Sequence, residues 1–560
     1  MVAALNRDLP FDRFVIEQLA GDLLPCASTE ATIATGFHCN AMLDPNLRWE
    51  AVLDQVNTTG TVFLGLTVGC AQCHSHKYDP LTQREYYGLY AFFDSATIGD
   101  FELATPAEKA TRDAAQAGVD VLKKRRTDYE ATLKESLAAW EQGLSAEERA
   151  KLPAPALAVL STTNRSPDQV SQLVAARAST DAEHQAMSRA IDELAQQVPK
   201  LPATLAMRAE SRTTRLFVRG NPERPGDEVA PGVPAFLPPL SNANSTRPTR
   251  LDFVRWLVAP ENPLVARVAV NHIWQRYFGL GLVEPVNDFG VQTPAPVQQE
   301  LLDWLATEFI ASRWSVKAMH RLIVCSATYR QSANARPQLQ AIDPANRLLA
   351  RQRRLRVEAE IIRDLSLSAG GLLAPRLGGP GVYPYQPEGV LDGRAGKATW
   401  TTSAGDDRFR RGLYTWTWRL TPHPMLPLFD APDATMACTR RDRSNTPVQA
   451  LTLLNDPTFV ECARALALRA IEASTVETET GDRARLARAF AICLSRQPAD
   501  AEADELLRLL AEQRAELASG EDARKIVGGE GPADIGTVNH AAWTVVCRAI
   551  LSLDEFVTRE

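Results

Sequence analysis

A mainly α, multi-domain helical protein with a long helical hairpin and small β elements is the fold class this sequence predicts. Three observations carry that prediction. Apolar residues recur at spacings of three and four through most of the chain. A stretch rich in Ala, Glu, Lys, Arg and Gln holds two such runs around a proline-bearing break. Runs of β-type are few and short, and 560 residues are too many for one core.

In chain order, residues 1–103 read as a helical domain. Asp8 is expected to cap a helix with Pro10 in its first turn, and Phe11, Phe14, Val15 and Leu19 share one face. A break is expected at Thr59-Gly60, and an aromatic-rich helix at Glu85 to Phe93. Residues 104–199 read as a helical hairpin or coiled-coil insertion. Leu122, Tyr129, Leu133, Leu137 and Trp140 mark one arm, and His184, Met187, Ile191, Leu194 and Val198 the other. Pro153, Pro155 and Pro167 lie between the arms. Residues 200–247 read as an irregular Pro/Gly-rich strap with a short strand in TTRLFVRG. Residues 248–560 read as a C-terminal, mainly helical domain, with a strand-like GLYTWTWRL inside its Gly/Pro-rich part, 370–435.

Bulk properties exclude several functions. Hydrophobic content of 45% and charged content of 23% are ordinary for a soluble globular protein. A net charge of −7 draws the chain neither to nucleic acid nor to anionic membrane. The basic clusters Lys123 to Arg126 and Arg351 to Arg356 lack interleaved aromatics and read as solvated helix faces. No apolar run reaches the roughly 18 residues of a membrane span. The first 25 residues carry charges throughout and do not read as a signal peptide. They read as the middle of a helical domain, so the first domain is expected to be partial at its N-terminus. Nine cysteines are neither disulfide-dense nor few. Most sit in helical patterns as free thiols, while Cys26 and Cys39 are near enough to bridge in an oxidising compartment.

The densest chemistry lies in GCAQCHSHKYDP, residues 69–80. Cys70 and Cys73 flank two residues and His74 follows at once. That pattern is the attachment motif of haem c, with two thiols for the vinyl groups and an adjacent imidazole for the iron. Two other readings stand beside it. One is a non-haem metal site using Cys70, Cys73, His74 and His76, although no second CxxC or HxxxH supplies a zinc partner. The other is a structural cysteine pair. For a haem, the candidates opposite His74 are His38, Met42, His272, His320 and His423.

A second polar concentration is FDAPDATMACTRRDRSNTP. Arg440, Arg441, Arg443 and Asn445 are anion-binding candidates there, ahead of a helix capped by Asn445 or Thr446 with Pro447 at its first position. A salt-bridged loop is the competing account. His272 in NHIWQRYFG could face a pocket, although a satisfied core histidine explains it as well. No GxSxG, Walker, GxGxxG or HExxH motif is present, and no carboxylate pair has a defensible separation. Catalytic residues are therefore left unknown.

The stretches NRDLPFDRFVIEQLAGDLLP, IATGFHCNAML and RWEAVLDQVNTTGTVFLGLTVGCAQCHSHKYDPLTQREYYGLYAFF resemble the planctomycete-type cytochrome-c-like domain. PLVARVAVNHIWQRYFGLGLVEPVNDFG, LLDWLATEFIASRWSVKAMHRLIVCSATYRQS, LFDAPDATMACTRRDRSNTPVQALTLLNDPTFV and WTVVCRAILSLDEFVTRE resemble the planctomycete-specific domain of unknown function that usually follows it. The resemblance implies haem-motif positions at Cys70, Cys73 and His74. It also implies an extracytoplasmic or periplasmic location, and a redox partner or sulfatase-like neighbour protein. This sequence departs from those relatives at Ser75, where they carry Asp, and at LDPNLRWE, where they carry a longer acidic loop. The expected function is a c-type cytochrome-like protein with one haem, serving electron transfer or haem-assisted chemistry in the cell envelope. The alternative is an envelope binding or scaffold protein whose Arg-rich loop takes an anionic glycan.

Overall fold

In a computed structural model, residues 1–40, 47–240, 247–392, 399–434, 438–474, 478–530, 532–533 and 535–559 are described. The chain is mainly α. Among the described residues, its sheets are two-stranded pairs: Ala96–Glu102 with Ala203–Ala209, Arg215–Phe217 with Pro225–Glu228, and Leu355–Arg356 with Thr558–Arg559. Among those residues, no helix is long and apolar enough to cross a membrane. The described chain divides into two compact units. One comprises residues 1–27, 37–97 and 209–560, and the other residues 28–36 and 98–208.

The smaller unit is built on the predicted hairpin. Helix Pro106–Glu135 starts from a Thr105/Glu108 capping box, with Pro106 in its first turn, where a missing N–H costs nothing. It packs along helix Ala182–Gln197, which buries Met187 and Ile191. Tyr129 donates its hydroxyl to Asp181, and His184 pairs with Glu130 at 2.8 Å. The returning arm is not one helix. It runs as Pro167–Thr180 and Ala182–Gln197, and Asp181 caps the second piece. Three short helices, Leu137–Gly143, Ala146–Ala150 and Ala154–Leu160, fill the tip around Leu137, Leu152, Val159 and Leu173. The prolines explain this, because Pro155 and Pro167 each sit in a first turn and restart a helix.

In the larger unit, helix Phe11–Ala20 buries Val15 and Leu19 and packs against helix Arg250–Leu257. Asp8 does not cap the first of these. Pro10 stands at that cap, and Asp8 accepts instead from Ser315 Oγ and from the Lys317 N–H at 3.1 Å, at the start of helix Val316–Cys325. Arg250 is 1% exposed; it donates to the Leu19 carbonyl at 2.7 Å and to both oxygens of Asp22 at 3.1 and 2.8 Å.

Helix Arg48–Thr59 does not break at Thr59-Gly60. It continues as a π-helical turn, Gly60–Leu64, and stops at Gly65. There φ is +61°, and a Cβ would meet Phe289 and Val268 at 2.8 and 2.9 Å. Gly60 serves packing, since a Cβ there would lie 2.5 Å from Val68.

The C-terminal core centres on helices Ala359–Gly370, Pro457–Ile471 and Thr537–Leu551, with Phe459, Cys462, Leu466, Trp543 and Ile550 fully enclosed. The strand expected in GLYTWTWRL is absent. Residues Gly412–Tyr414 form a 3-10 turn, and isolated bridges Val382 to Thr415 and Trp418 to Thr421 replace a ladder. Arg410 accounts for the difference. Its guanidinium donates to the carbonyls of Arg376, Gly378 and Pro380 and lies 3.7 Å from the Tyr414 ring centre, so the segment is organised around a side chain.

Replacing Asp22 by Ala removes the carboxylate that takes two hydrogen bonds from the buried Arg250 guanidinium. The expected cost is about 3–5 kcal/mol, read as a lower urea midpoint by circular dichroism.

Candidate functional site

The cysteine motif is positioned from behind by helix Gln83–Asp94. Thr82 and Glu85 close a capping box at its start, and every residue from Tyr86 to Phe93 is buried. A helix apolar on all sides has no solvent face, so its polar tips must bond inward. The Tyr86 hydroxyl bonds Asn57 Oδ1 at 3.1 Å, and the Tyr87 hydroxyl donates to the Gln72 carbonyl at 3.3 Å. Gln83 adds its amide to the same carbonyl at 2.9 Å and to that of Phe217 at 3.2 Å. Gln72, which lies between the two cysteines, is thereby held from two sides.

Cys70 lies in the 3-10 turn Val68–Gln72, with Cys73 just beyond it. Both thiols are free and exposed. Cys73 rests on a second element. Gly220 has φ +72°, and a Cβ there would stand 2.6 Å from Cys73 Sγ, so only glycine leaves room for this sulfur. His74 is exposed, and its Nδ1 bonds the Ser75 carbonyl at 2.7 Å. That contact places the proton on Nδ1 and leaves the Nε2 lone pair open. The Ser75 hydroxyl accepts the Gln83 N–H at 3.3 Å.

His76 has a different part. Its side chain is 6% exposed, and Nδ1 accepts the N–H groups of Tyr78 and Asp79 at 3.3 and 2.8 Å. Nε2 is buried without a partner. Asp79 in turn accepts the Val291 N–H at 2.8 Å. His76 and Asp79 thus pin the loop after the motif onto the turn around Gly290. Among the described residues, no group of three or more His, Cys, Asp and Glu side chains is arranged to hold a metal ion.

The residues considered for the opposite haem face are spread through the fold. His38 is buried between the rings of Phe37 and Phe93, at 4.9 and 5.1 Å, and its Nε2 has no partner. Burial, with Arg250 nearby, pushes its pKa down to about 3. His272 bonds the Val286 carbonyl, His320 the Tyr277 hydroxyl and His423 the Tyr385 carbonyl. Met42 lies outside the described residues. No disulfide joins Cys26 and Cys39.

The Arg-rich loop is folded back by Asp430, which adopts φ +62° and accepts from the Ser444 N–H at 2.7 Å and from its hydroxyl. Thr446 caps helix Pro447–Asn455 in a capping box with Gln449. Arg441 makes a bidentate pair with Glu360, at 2.7 and 3.0 Å, and Arg443 reaches Glu358 at 3.5 Å. Arg440 and Asn445 are exposed. Three further arginines gather near this loop from distant parts of the chain. Arg276 bonds Glu358 at 3.2 Å, Arg356 lies on strand Leu355–Arg356, and Arg559 pairs across the same two-stranded sheet. Sequence reading placed Arg351 to Arg356 on a solvated helix face, yet Arg356 is on a strand and is 13% exposed. The alternation in RLRVEAE was the available signal.

Residues 1–97 match the family model PSCyt2, a protein of unknown function (DUF1549), and residues 249–510 match PSD1, a protein of unknown function (DUF1553). No curated protein and no solved structure matches the chain.

Folded protein made in a cytoplasm without c-type maturation, and so free of haem, should be alkylated by iodoacetamide at pH 8 at Cys70 and Cys73 within minutes. Cys462 and Cys493, whose thiols burial pushes up to about 12, should react only in denaturant. Peptide mass spectrometry reads both.

His38 supplies a pH test. Folded, it stays neutral down to about pH 3, whereas unfolded it protonates near the ordinary 6.5. Its contribution is complete above that ordinary value and is lost as pH falls from about 6.5 towards 3. Thermal melts across this window should show a shallower acid loss in His38→Gln than in the native chain.

Proposed function

From a chain that pairs a PSCyt2 segment with a PSD1 segment, we propose a c-type cytochrome-like protein of the cell envelope. Cys70, Cys73 and His74 would hold one haem covalently, which would serve electron transfer or haem-assisted chemistry. The observation that carries this reading is the state of the donor set. Two free, exposed thiols stand with two residues between them, beside an imidazole whose Nδ1 is engaged and whose Nε2 is open. The residues present fit covalent attachment.

The chain's own part is to fix those donors. The Ser75 carbonyl sets the tautomer of His74, as a hydrogen-bonded ligand histidine requires. Tyr87 and Gln83 hold the turn between the cysteines, and Gly220 leaves space at the Cys73 sulfur. A haem bound there would supply one-electron chemistry at an iron. A redox partner would be a natural counterpart, and the extracytoplasmic location rests on the family resemblance.

A second reading is a binding or scaffold protein of the envelope, with a structural or non-haem CxxCH and an anionic glycan as ligand. One observation favours it: Arg441 and Arg443 line a cavity and do not simply project into solvent.

The test of the first reading is a haem stain on a denaturing gel with a pyridine haemochrome spectrum. The protein is exported from a host with c-type maturation, alongside a Cys70→Ser/Cys73→Ser control. The expected result is stoichiometric covalent haem in the native sequence and none in the control. Folded native protein without haem would overturn the reading.

A further inference from the structure

The hairpin spanning residues 215–228 reaches the cysteine motif from outside both family segments, which cover residues 1–97 and 249–510. Its strands pair antiparallel, with Arg215 opposite Glu228 and Phe217 opposite Pro225. The tip between them is a closed turn. The Val218 N–H donates to the Arg224 carbonyl at 2.9 Å, and the Arg224 N–H to the Asn221 carbonyl at 3.0 Å. Arg219 and Gly220, at its apex, are both left-handed, with φ of +54° and +72°. Pro222 and Pro225 fix their own φ and stiffen the return.

The base of the hairpin is tied to helix Gln83–Asp94, which holds the tip at the motif. Gln83 donates to the Phe217 carbonyl at 3.2 Å, and the Phe217 ring meets Tyr87 and Tyr90 edge-on at 5.3 and 5.7 Å. Arg84 donates to the Glu228 carbonyl at 3.2 Å, and just beyond the hairpin the Gly232 N–H donates to the Gly88 carbonyl at 3.2 Å. The Gln83 amide also holds the Gln72 carbonyl, between the two cysteines, at 2.9 Å. Hairpin and cysteine turn thus share one clamp.

The two thiols are unequal in this frame. The three atoms nearest to a Cβ built on Gly220 all belong to Cys73: Sγ at 2.6 Å, Cα and Cβ at 3.5 Å. None belongs to Cys70. A thiolate attacks through the open side of its sulfur, so main chain packed on one side removes directions of approach. Glycine in the left-handed region is what lets the main chain come this close, and a side chain there would displace either the sulfur or the tip.

We propose that Gly220 is a positioning residue of the cysteine motif and that the hairpin tip guards Cys73, so that an electrophile meets Cys70 first and Cys73 second. The order of modification is set by a segment that neither family match contains. The inference concerns the same two thiols as the haem reading and does not depend on it.

The test is the rate of iodoacetamide alkylation at pH 8 in the full chain free of haem. Mass spectrometry follows it in the Cys73→Ser and Cys70→Ser variants, each of which leaves one motif thiol. In folded protein Cys70 should react faster than Cys73 by about threefold or more, and the two rates should converge in denaturant. Adding Gly220→Ala should raise the Cys73 rate towards that of Cys70 and leave Cys70 unchanged. Gly405→Ala separates strain from contact: that glycine is also left-handed, but its Cβ would meet nothing within 4 Å, so both rates should stay as they were. Phe217→Ala loosens the base of the hairpin without adding atoms near the sulfur, and gives the answer where Gly220→Ala does not fold. Equal rates in the folded chain, or a ratio that survives both Gly220→Ala and Phe217→Ala, would overturn the proposal. Covalent haem in exported protein alongside equal thiol rates overturns this inference alone, and ordered thiols in a folded chain that takes no haem overturn the haem reading alone.

Discussion

From Tyr86 to Phe93 the helix Gln83–Asp94 has no surface of its own, and that constraint organises the cysteine motif. An all-round buried helix has to be covered on every side, and each polar tip it carries has to find a partner within that cover. The cover comes from the turn holding Cys70, from the Phe217 segment and from helix Arg250–Leu257. Phe92 stacks on Phe253 at 4.8 Å, and Tyr87 and Tyr90 meet the Phe217 ring edge-on. Even the backbone is pressed close, since Gly88 lies against Gly232 with room for little more than a hydrogen. The reactive groups therefore stand on a rigid floor while remaining open to solvent, as a surface that meets another molecule requires.

Arginine does two kinds of work in the larger unit. At Arg250 and Arg410 it is a structural hook, taking several carbonyls or a carboxylate at once from a buried position. A planar group with five donors can gather irregular backbone that no ladder pairs. Around Arg443 the same side chain is used in ion pairs instead, Arg441 with Glu360, Arg276 and Arg443 with Glu358, and Arg356 with Asp554. Counting arginines does not separate the two cases. The destination of each N–H does.

Much of the fold was legible in the sequence because it is locally determined. The cap at Thr446, the aromatic helix and the arms of the hairpin all follow from residues a few positions apart. The CxxCH motif was legible for the same reason. What escaped depends on distant partners. Asp8 reads locally as a cap, yet it serves a serine 307 residues away. GLYTWTWRL alternates like a strand, yet an arginine reaching back over the 376–380 loop decides its shape. The pocket at Arg443 is lined from residues 356–362 and 429–449, so no short window of sequence contains it.

The pairing of Asp22 with Arg250 also sets a clock. The two residues are 228 positions apart, and the smaller unit is threaded between them. At synthesis rates of roughly 5–20 residues per second, the carboxylate waits on the order of 10–45 s before its partner is made. During that interval Val15, Leu19 and Ala20, all wholly buried in the finished protein, have no helix Arg250–Leu257 to cover them. The smaller unit draws only on residues 28–36 and 98–208, so its contacts are complete in sequence much sooner. The order of synthesis thus runs against the order of the larger core, and the first helices of the chain must be kept from wrong partners until the middle of the sequence emerges.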